Sequence, residues 1–228
     1  TLPVDRKETI EFTTYLPDGE FEIVDANNNK VPYTVLEKRD LTDYVLTQTI
    51  RLNPSKEIYI PNKVYEARIV ISKDHVSSLG FEQLQLVFSG NGEDPYKECE
   101  YLENKFYKVT INEDGSFNVL DKESQKEYKN QGVLVENGDD GDSFNYSIPR
   151  QDMEIYSTAF KPIIQIKGSN LIQKANIQFE MVVPQDLDAR AKKEATVKMP
   201  IELIIGLRKN SEVIDVKVNV DNHGFCIL

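Results

Sequence analysis

The stretch Ile214–Val220, IDVKVNV, decides the fold class. Ile214, Val216, Val218 and Val220 alternate with Asp215, Lys217 and Asn219. Successive side chains of a strand point to opposite faces, so this period of two predicts a strand with one face buried and one wet. The same pattern recurs outward along the chain. Ile177, Phe179, Met181 and Val183 alternate with Gln178 and Glu180. Ile10, Phe12, Thr14 and Leu16 share a face, as do Val31, Tyr33 and Val35 beyond the Asn27-Asn28-Asn29 turn. Further runs are Tyr44, Leu46, Gln48, Ile50 and Leu52; Tyr65, Ala67, Ile69 and Ile71; and Leu84, Leu86 and Phe88. Between Val109-Thr110-Ile111 and Phe117-Asn118-Val119, the pair Asp114-Gly115 is a strong hairpin signal. Helical periodicity is scarce. Residues 185–196 have helix-forming composition but too few apolar positions for a stripe, so they read as a surface loop with at most one helical turn.

Many short strands divided by Gly, Pro and Asn turns predict an all-β chain of sandwiches rather than a parallel α/β sheet. Residues 89–95, SGNGEDP, combine two glycines and a proline without a large apolar side chain, which suits a linker. The expected organisation is a small Ig-like β-sandwich over residues 1–89 and, over 96–228, the first part of a larger β-sandwich. The last strand ends close to Leu228, so that second sheet system reads as truncated.

Composition narrows the partners. The 228 residues are 39% hydrophobic and 29% charged, which favours a folded core over disorder. No apolar run approaches the ~18 residues of a membrane-spanning helix. The start, TLPVDRKETIEF, lacks the basic-then-apolar pattern of a signal peptide and reads as a cut from a longer polypeptide. A formal charge of −11 repels nucleic acid and anionic membranes, and the densest basic stretch, Arg190 to Lys193, is flanked by Asp188 and Glu194. A cytoplasmic location is expected, with no nucleic-acid or membrane partner. Cys99 and Cys226 read as free thiols of a reducing compartment, and His75 and His223 are isolated from each other and from both cysteines. No spacing resembles a zinc site, so no metal ligand is assigned.

Tyr101–Val109, YLENKFYKV, then Asp114-Gly115, then Asp121-Lys122, resemble a pattern of the C-terminal β-region of family 38 glycoside hydrolases. The matching positions are Glu103, Asn104, Phe106 or Tyr107, Val109, Asp114, Gly115, Asp121 and Lys122. Residues 139–149, DDGDSFNYSIP, resemble that family's Gly-Asp-Ser-aromatic-x-Tyr-Ser-Pro segment, and residues 209–222 the strand leading into its Asp-Asn…His-Arg-x-Arg segment. Leu2-Pro3, Val31-Pro32-Tyr33, Leu52-Asn53-Pro54 and Tyr59-Ile60-Pro61 resemble the small sandwich of bacterial members, including those acting on 6-phospho-mannosylglycerate or short mannosides. After Asn222, however, this chain reads His-Gly-Phe-Cys-Ile-Leu, without the basic pair.

The resemblance implies a parent enzyme, a retaining zinc-dependent α-mannosidase, whose large sandwich is a supersandwich of the galactose-mutarotase type. Retaining hydrolysis needs two carboxyl groups about 5–5.5 Å apart. The resemblance places those groups and the zinc ligands in an upstream barrel and helical bundle, so catalytic residues and cofactor are expected to be absent here, with zinc held by the parent. The implied partners are that barrel and helical domain and a mannoside substrate, and a homodimer is left open. Residues 138–149 hold the rim candidates Asp140, Asp142, Ser143, Asn145 and Tyr146: carboxylates and amides pair with sugar hydroxyls, and a ring covers an apolar sugar face. The same segment also reads as a solvated acidic loop, or as a calcium-type oxygen cluster. His223 reads as a strand cap, His75 as exposed, and Asn104 as a turn-fixing amide. The alternative function is a free-standing carbohydrate- or protein-binding sandwich, which would have a covered edge at residues 212–221. A parent-bound scaffold would leave an apolar patch bare on one face and an open strand edge at residues 212–221.

Overall fold

The computed structural model describes residues 3–45, 47, 63–88, 90–142 and 144–222. Within them the chain is built of antiparallel strands, and two compact units can be separated. The first comprises residues 1–97 with 168–172 and 208–211; the second comprises 98–167, 173–207 and 212–228.

In the first unit, β1 (Arg6–Pro17), β4 (Val64–Val76) and β3 (Tyr33–Asp40) form a three-stranded sheet in the order β1-β4-β3. A second pair joins β2 (Glu22–Val24) to β5 (Gln85–Val87). The alternation in β4 does what its sequence predicts: Ala67, Ile69 and Ile71 enter a core with Leu16, Ile23, Val31 and Tyr33. Tyr33 is 1% exposed, stacks on Phe21 with ring centroids 4.7 Å apart, and donates its hydroxyl proton to the Phe21 carbonyl at 2.5 Å. Burial, reinforced by nearby Glu93, pushes its pKa up to about 12. Val70, on the other face of β4, is buried with Leu171 and Ile172. Residues 90–95 are not a free tether. The Gly92 amide donates to Phe21 O, and the Asp94 amide to Tyr33 O at 2.8 Å.

One strand expectation fails. Residues 42–45 form a helical turn, α1, where Tyr44 was expected in a strand. The Asp40 carboxylate accepts the Thr42 amide at 2.8 Å and the Val45 amide bonds to Leu41 O, so a cap-and-turn signal overrides the alternation that begins at Tyr44. Leu46, Gln48, Ile50 and Leu52 lie outside the described residues, as do Leu2, the Leu52-Asn53-Pro54 and Tyr59-Ile60-Pro61 segments, His223 and Cys226.

The second unit is a sandwich. One layer is the four-stranded sheet β10-β9-β8-β7, from β7 (Leu102–Glu103), β8 (Tyr107–Ile111), β9 (Phe117–Asp121) and β10 (Glu127–Gln131). The other is the five-stranded sheet β16-β15-β14-β13-β6, from β6 (Lys97–Glu98), β13 (Ile163–Gly168), β14 (Ile172–Val183), β15 (Val197–Arg208) and β16 (Ile214–Val220). A small ladder joins β11 (Val135–Glu136) to β12 (Ile155–Tyr156). Between the layers lie Leu102, Val109, Phe117 and Val119 against Ile177, Phe179 and Met181 of β14 and Met199, Ile201, Leu203, Ile205 and Leu207 of β15. Interdigitation of two such inner faces is what makes a sandwich core.

β16 forms where its alternation predicts, but it does not bury a face. Val220, Val218 and Val216 pair directly with Ile201, Leu203 and Ile205, so they continue the core-facing row of β15. Yet they are 50%, 41% and 50% exposed. The covering layer stops short of the outermost strand.

Candidate functional site

The resemblance motifs fall at a hairpin, and their side chains brace it. The Asn104 amide oxygen accepts the amides of Phe106 and Tyr107 at 2.8 and 2.9 Å, which folds the turn into β8. Asp114 Oδ1 accepts the Ser116 amide and hydroxyl, and Gly115 takes a φ of +84° between them. Asp121 Oδ1 accepts the amides of Glu123 and Ser124, and a bond from the Ser124 side chain first, then these amides, hold its carboxyl below the usual range. Lys122 then reaches back, pairing with Glu103 at 2.7 Å and donating to the Asn104 carbonyl at 2.6 Å. Asn104, Asp114 and Asp121 thus each shape a turn beside β8 or β9, and Lys122 ties the end of β9 back to β7.

The rim candidates lie on a loop over residues 138–149, between β11 and β12. Asp139 Oδ1 accepts the amides of Gly141 and Ser147, both at 2.9 Å, and the Asp140 amide donates to Ser147 O at 2.7 Å. Asp142 Oδ1 accepts the amides of Phe144 and Asn145, both at 2.9 Å. Those amides, Phe144 first, hold the Asp142 carboxyl below its usual range. The Asn137 side-chain amide donates to the Tyr146 hydroxyl at 2.9 Å. Asp142 and Asn145 are therefore joined directly, Tyr146 is held by Asn137, and Asp140 is held through its backbone, its side chain lying in solvent. Ser143 lies outside the described residues. The tip is open: Phe144 is 93% exposed, with Tyr146 and Ile148 exposed beside it.

The base of the loop is the reverse. Helix α2 (Leu187–Ala191) begins at Asp186, whose carboxylate accepts the Ala189 amide at 2.8 Å. Its Arg190 is 4% exposed. Arg190 Nη1 donates to Asp152 Oδ1 at 3.1 Å and to the Met153 carbonyl at 2.7 Å, while Nη2 donates to Glu136. Asp152 Oδ1 also accepts the amides of Gly138 and Met153. Burial acts to raise the Asp152 carboxyl, but these amides and the guanidinium outweigh it and the group sits low. Burial dominates at Glu136 and pushes its carboxyl up, against the pull of Arg190. Sequence reading missed this cluster, because Arg190 stands in a polar run with no apolar pattern to signal its burial.

The described residues do not fit a zinc centre. Among the described residues no three His, Cys, Asp or Glu side chains come together as a metal would require. Asp139 and Asp142 each direct one carboxylate oxygen at backbone amides, the arrangement of Asx turns. His75 is exposed within β4, 3.4 Å from the Ser77 hydroxyl. Cys99 is a half-buried free thiol, its pKa raised by burial. No helix among the described residues is long and apolar enough to cross a membrane.

Comparison with known proteins fits this picture. A putative mannosylglycerate hydrolase of Halalkalibacterium halodurans is 30% identical over 94 residues, covering 41% of this chain and 10% of that protein. The crystal structure of an α-mannosidase from Enterococcus faecalis V583 superposes with a TM-score of 0.65 at 14% identity, over 97% of this chain and 29% of that one. A second Enterococcus faecalis structure, of a protein in glycosyl hydrolase family 38, gives 0.69 at 13% identity, over 97% and 30%. The chain therefore spans about three tenths of the length of these structures and a tenth of the curated relative. The model of the glycosyl hydrolases family 38 C-terminal domain matches residues 102–228, more than half of the chain. On that match the chain belongs to glycoside hydrolase family 38, of which it carries the C-terminal domain.

Proposed function

We propose that the chain is the non-catalytic β-region of a cytoplasmic, retaining, zinc-dependent α-mannosidase that hydrolyses terminal α-mannosides. Its work is to seat the catalytic barrel and helical domain and to lend the 138–149 loop to the rim of their active site. The observation that carries the reading is the overhang of β16: three valines extend the core row of β15 yet stand about half exposed. A finished sandwich covers such a row, so the overhang favours a surface that other parts of an enzyme complete over a free-standing binding module. The braced hairpin of the family motif supports the same reading, since its carboxylates and amides serve the fold and leave no pair free for acid–base work.

The test is made in the longer enzyme. Asp142→Ala removes the turn that shapes the loop tip, and Tyr146→Phe removes the hydroxyl that meets Asn137. On an aryl α-mannoside both should raise KM severalfold, Tyr146→Phe with the melting temperature unchanged and Asp142→Ala with a fall of a few degrees, since it also loses two turn hydrogen bonds. Unaltered KM and kcat in both variants would remove the rim role.

A further inference from the structure

We propose that Arg190 is the positioning residue of the 138–149 loop, stapling both of its stems to helix α2; the inference rests on the rim reading given above. The first stem enters through Glu136 and Gly138 and the second leaves through Pro149, Asp152 and Met153. Arg190 touches both. Its guanidinium donates to Glu136 on one side and to Asp152 and the Met153 carbonyl on the other. Its aliphatic part fills the slot between the stems: a Cβ on Gly138 would stand 2.5 Å from Arg190 Cδ and 2.7 Å from Pro149 Cγ. Asp152 closes the ring by accepting the Gly138 amide across fourteen residues.

A charge this deeply buried is costly unless paired, and a packing role alone would be served by a methionine of similar length. What the guanidinium adds is a planar fork of donors that meets three acceptors at once, which a lysine ammonium cannot reproduce. The Asp186 cap and the Arg190 amide bond to Asp186 O fix the helix turn from which the side chain reaches. An open tip that exposes Phe144, Tyr146 and Ile148 thus stands on a base pinned by Arg190 and Asp152.

The experiment is amide hydrogen exchange on the 228-residue chain, read as the ratio of exchange in 138–149 to exchange in β14. Chymotryptic cleavage after Phe144 is followed in parallel. Arg190→Met should raise the ratio at least tenfold, Arg190→Lys should restore less than half of the lost protection, and cleavage should accelerate in step. Glu136→Gln, which leaves the contacts to Asp152 and Met153, should raise the ratio about threefold, and it decides the matter if Arg190→Met does not fold. A ratio that stays within twofold of the unsubstituted chain, or full restoration by lysine, overturns the staple. The readout needs no substrate, so it is separable from the rim role. A stapled loop whose variants leave KM alone would refute the rim and spare the staple.

Discussion

Replacing Val216, Val218 and Val220 together by threonine should matter little to this chain and, on the proposed reading, much to the longer enzyme. Threonine matches valine in shape and in strand preference, so the change is one methyl to hydroxyl per site. Full burial of a valine side chain contributes about 1.5–3 kcal/mol. These three are 50%, 41% and 50% exposed, so covering the remainder in the longer enzyme is worth about 1 kcal/mol each, roughly 3 kcal/mol together. In the 228-residue chain the new hydroxyls reach water, and urea unfolding should shift by less than about 1 kcal/mol in total. In the longer enzyme each hydroxyl enters an apolar contact without a partner, at about 1–3 kcal/mol. The expected loss there is about 3 kcal/mol or more, read as a lower urea midpoint. The substituted chain should also self-associate less in sedimentation velocity, because an apolar edge row has been made polar. Equal losses in chain and enzyme, or no loss in the enzyme, would rule out a β16 row that is covered in the longer enzyme.

Three other predictions follow from the geometry. Gly132 has a φ of +74° and an added Cβ would sit 2.4 Å from Phe117 Cε1, so Gly132→Ala should lower stability by about 2–3 kcal/mol in urea unfolding. Asn104→Ala removes the acceptor of two turn amides and should lower stability by about 1–2 kcal/mol, whereas Lys122→Met breaks a partly exposed pair and should lower it by less than about 1 kcal/mol. Asp152, held low in the folded state, contributes stability that is full above the unfolded carboxylate value of about 3.9 and is lost as pH falls below it through the lower folded value. Glu136, pushed up by burial, has the opposite sign and favours the folded state as it takes up a proton. Urea midpoints should therefore fall steeply only below about pH 4. Asp152→Asn should flatten that fall, and an unchanged slope would contradict the assignment.

What the sequence reveals is whatever is fixed by near neighbours. The β8–β9 hairpin is legible because Asp114, Gly115 and Ser116 make the turn within themselves, and β4 and β14 because their apolar rows end in a core. β15 carries the same alternation, but Pro200, Ile204 and Gly206 on its other face blur the pattern. At residues 42–45 the alternation misleads because Asp40 supplies a helix cap two residues ahead of the turn. The exposure of β16 is not written in its own residues at all; it depends on how far the opposite layer extends. Arg190 is hidden for the same reason. Its partners Glu136 and Asp152 lie 54 and 38 residues away, and only the fold brings three charges of mixed sign to the foot of one loop.

On the proposed function this chain supports a glycosidase without carrying its chemistry. The direct measurement is release of product from an aryl α-mannoside by the purified 228-residue chain, with and without added zinc, beside the longer enzyme. Blank-level release by the chain under both conditions and zinc-dependent turnover by the enzyme are expected. Zinc-dependent turnover by the chain alone would contradict that function.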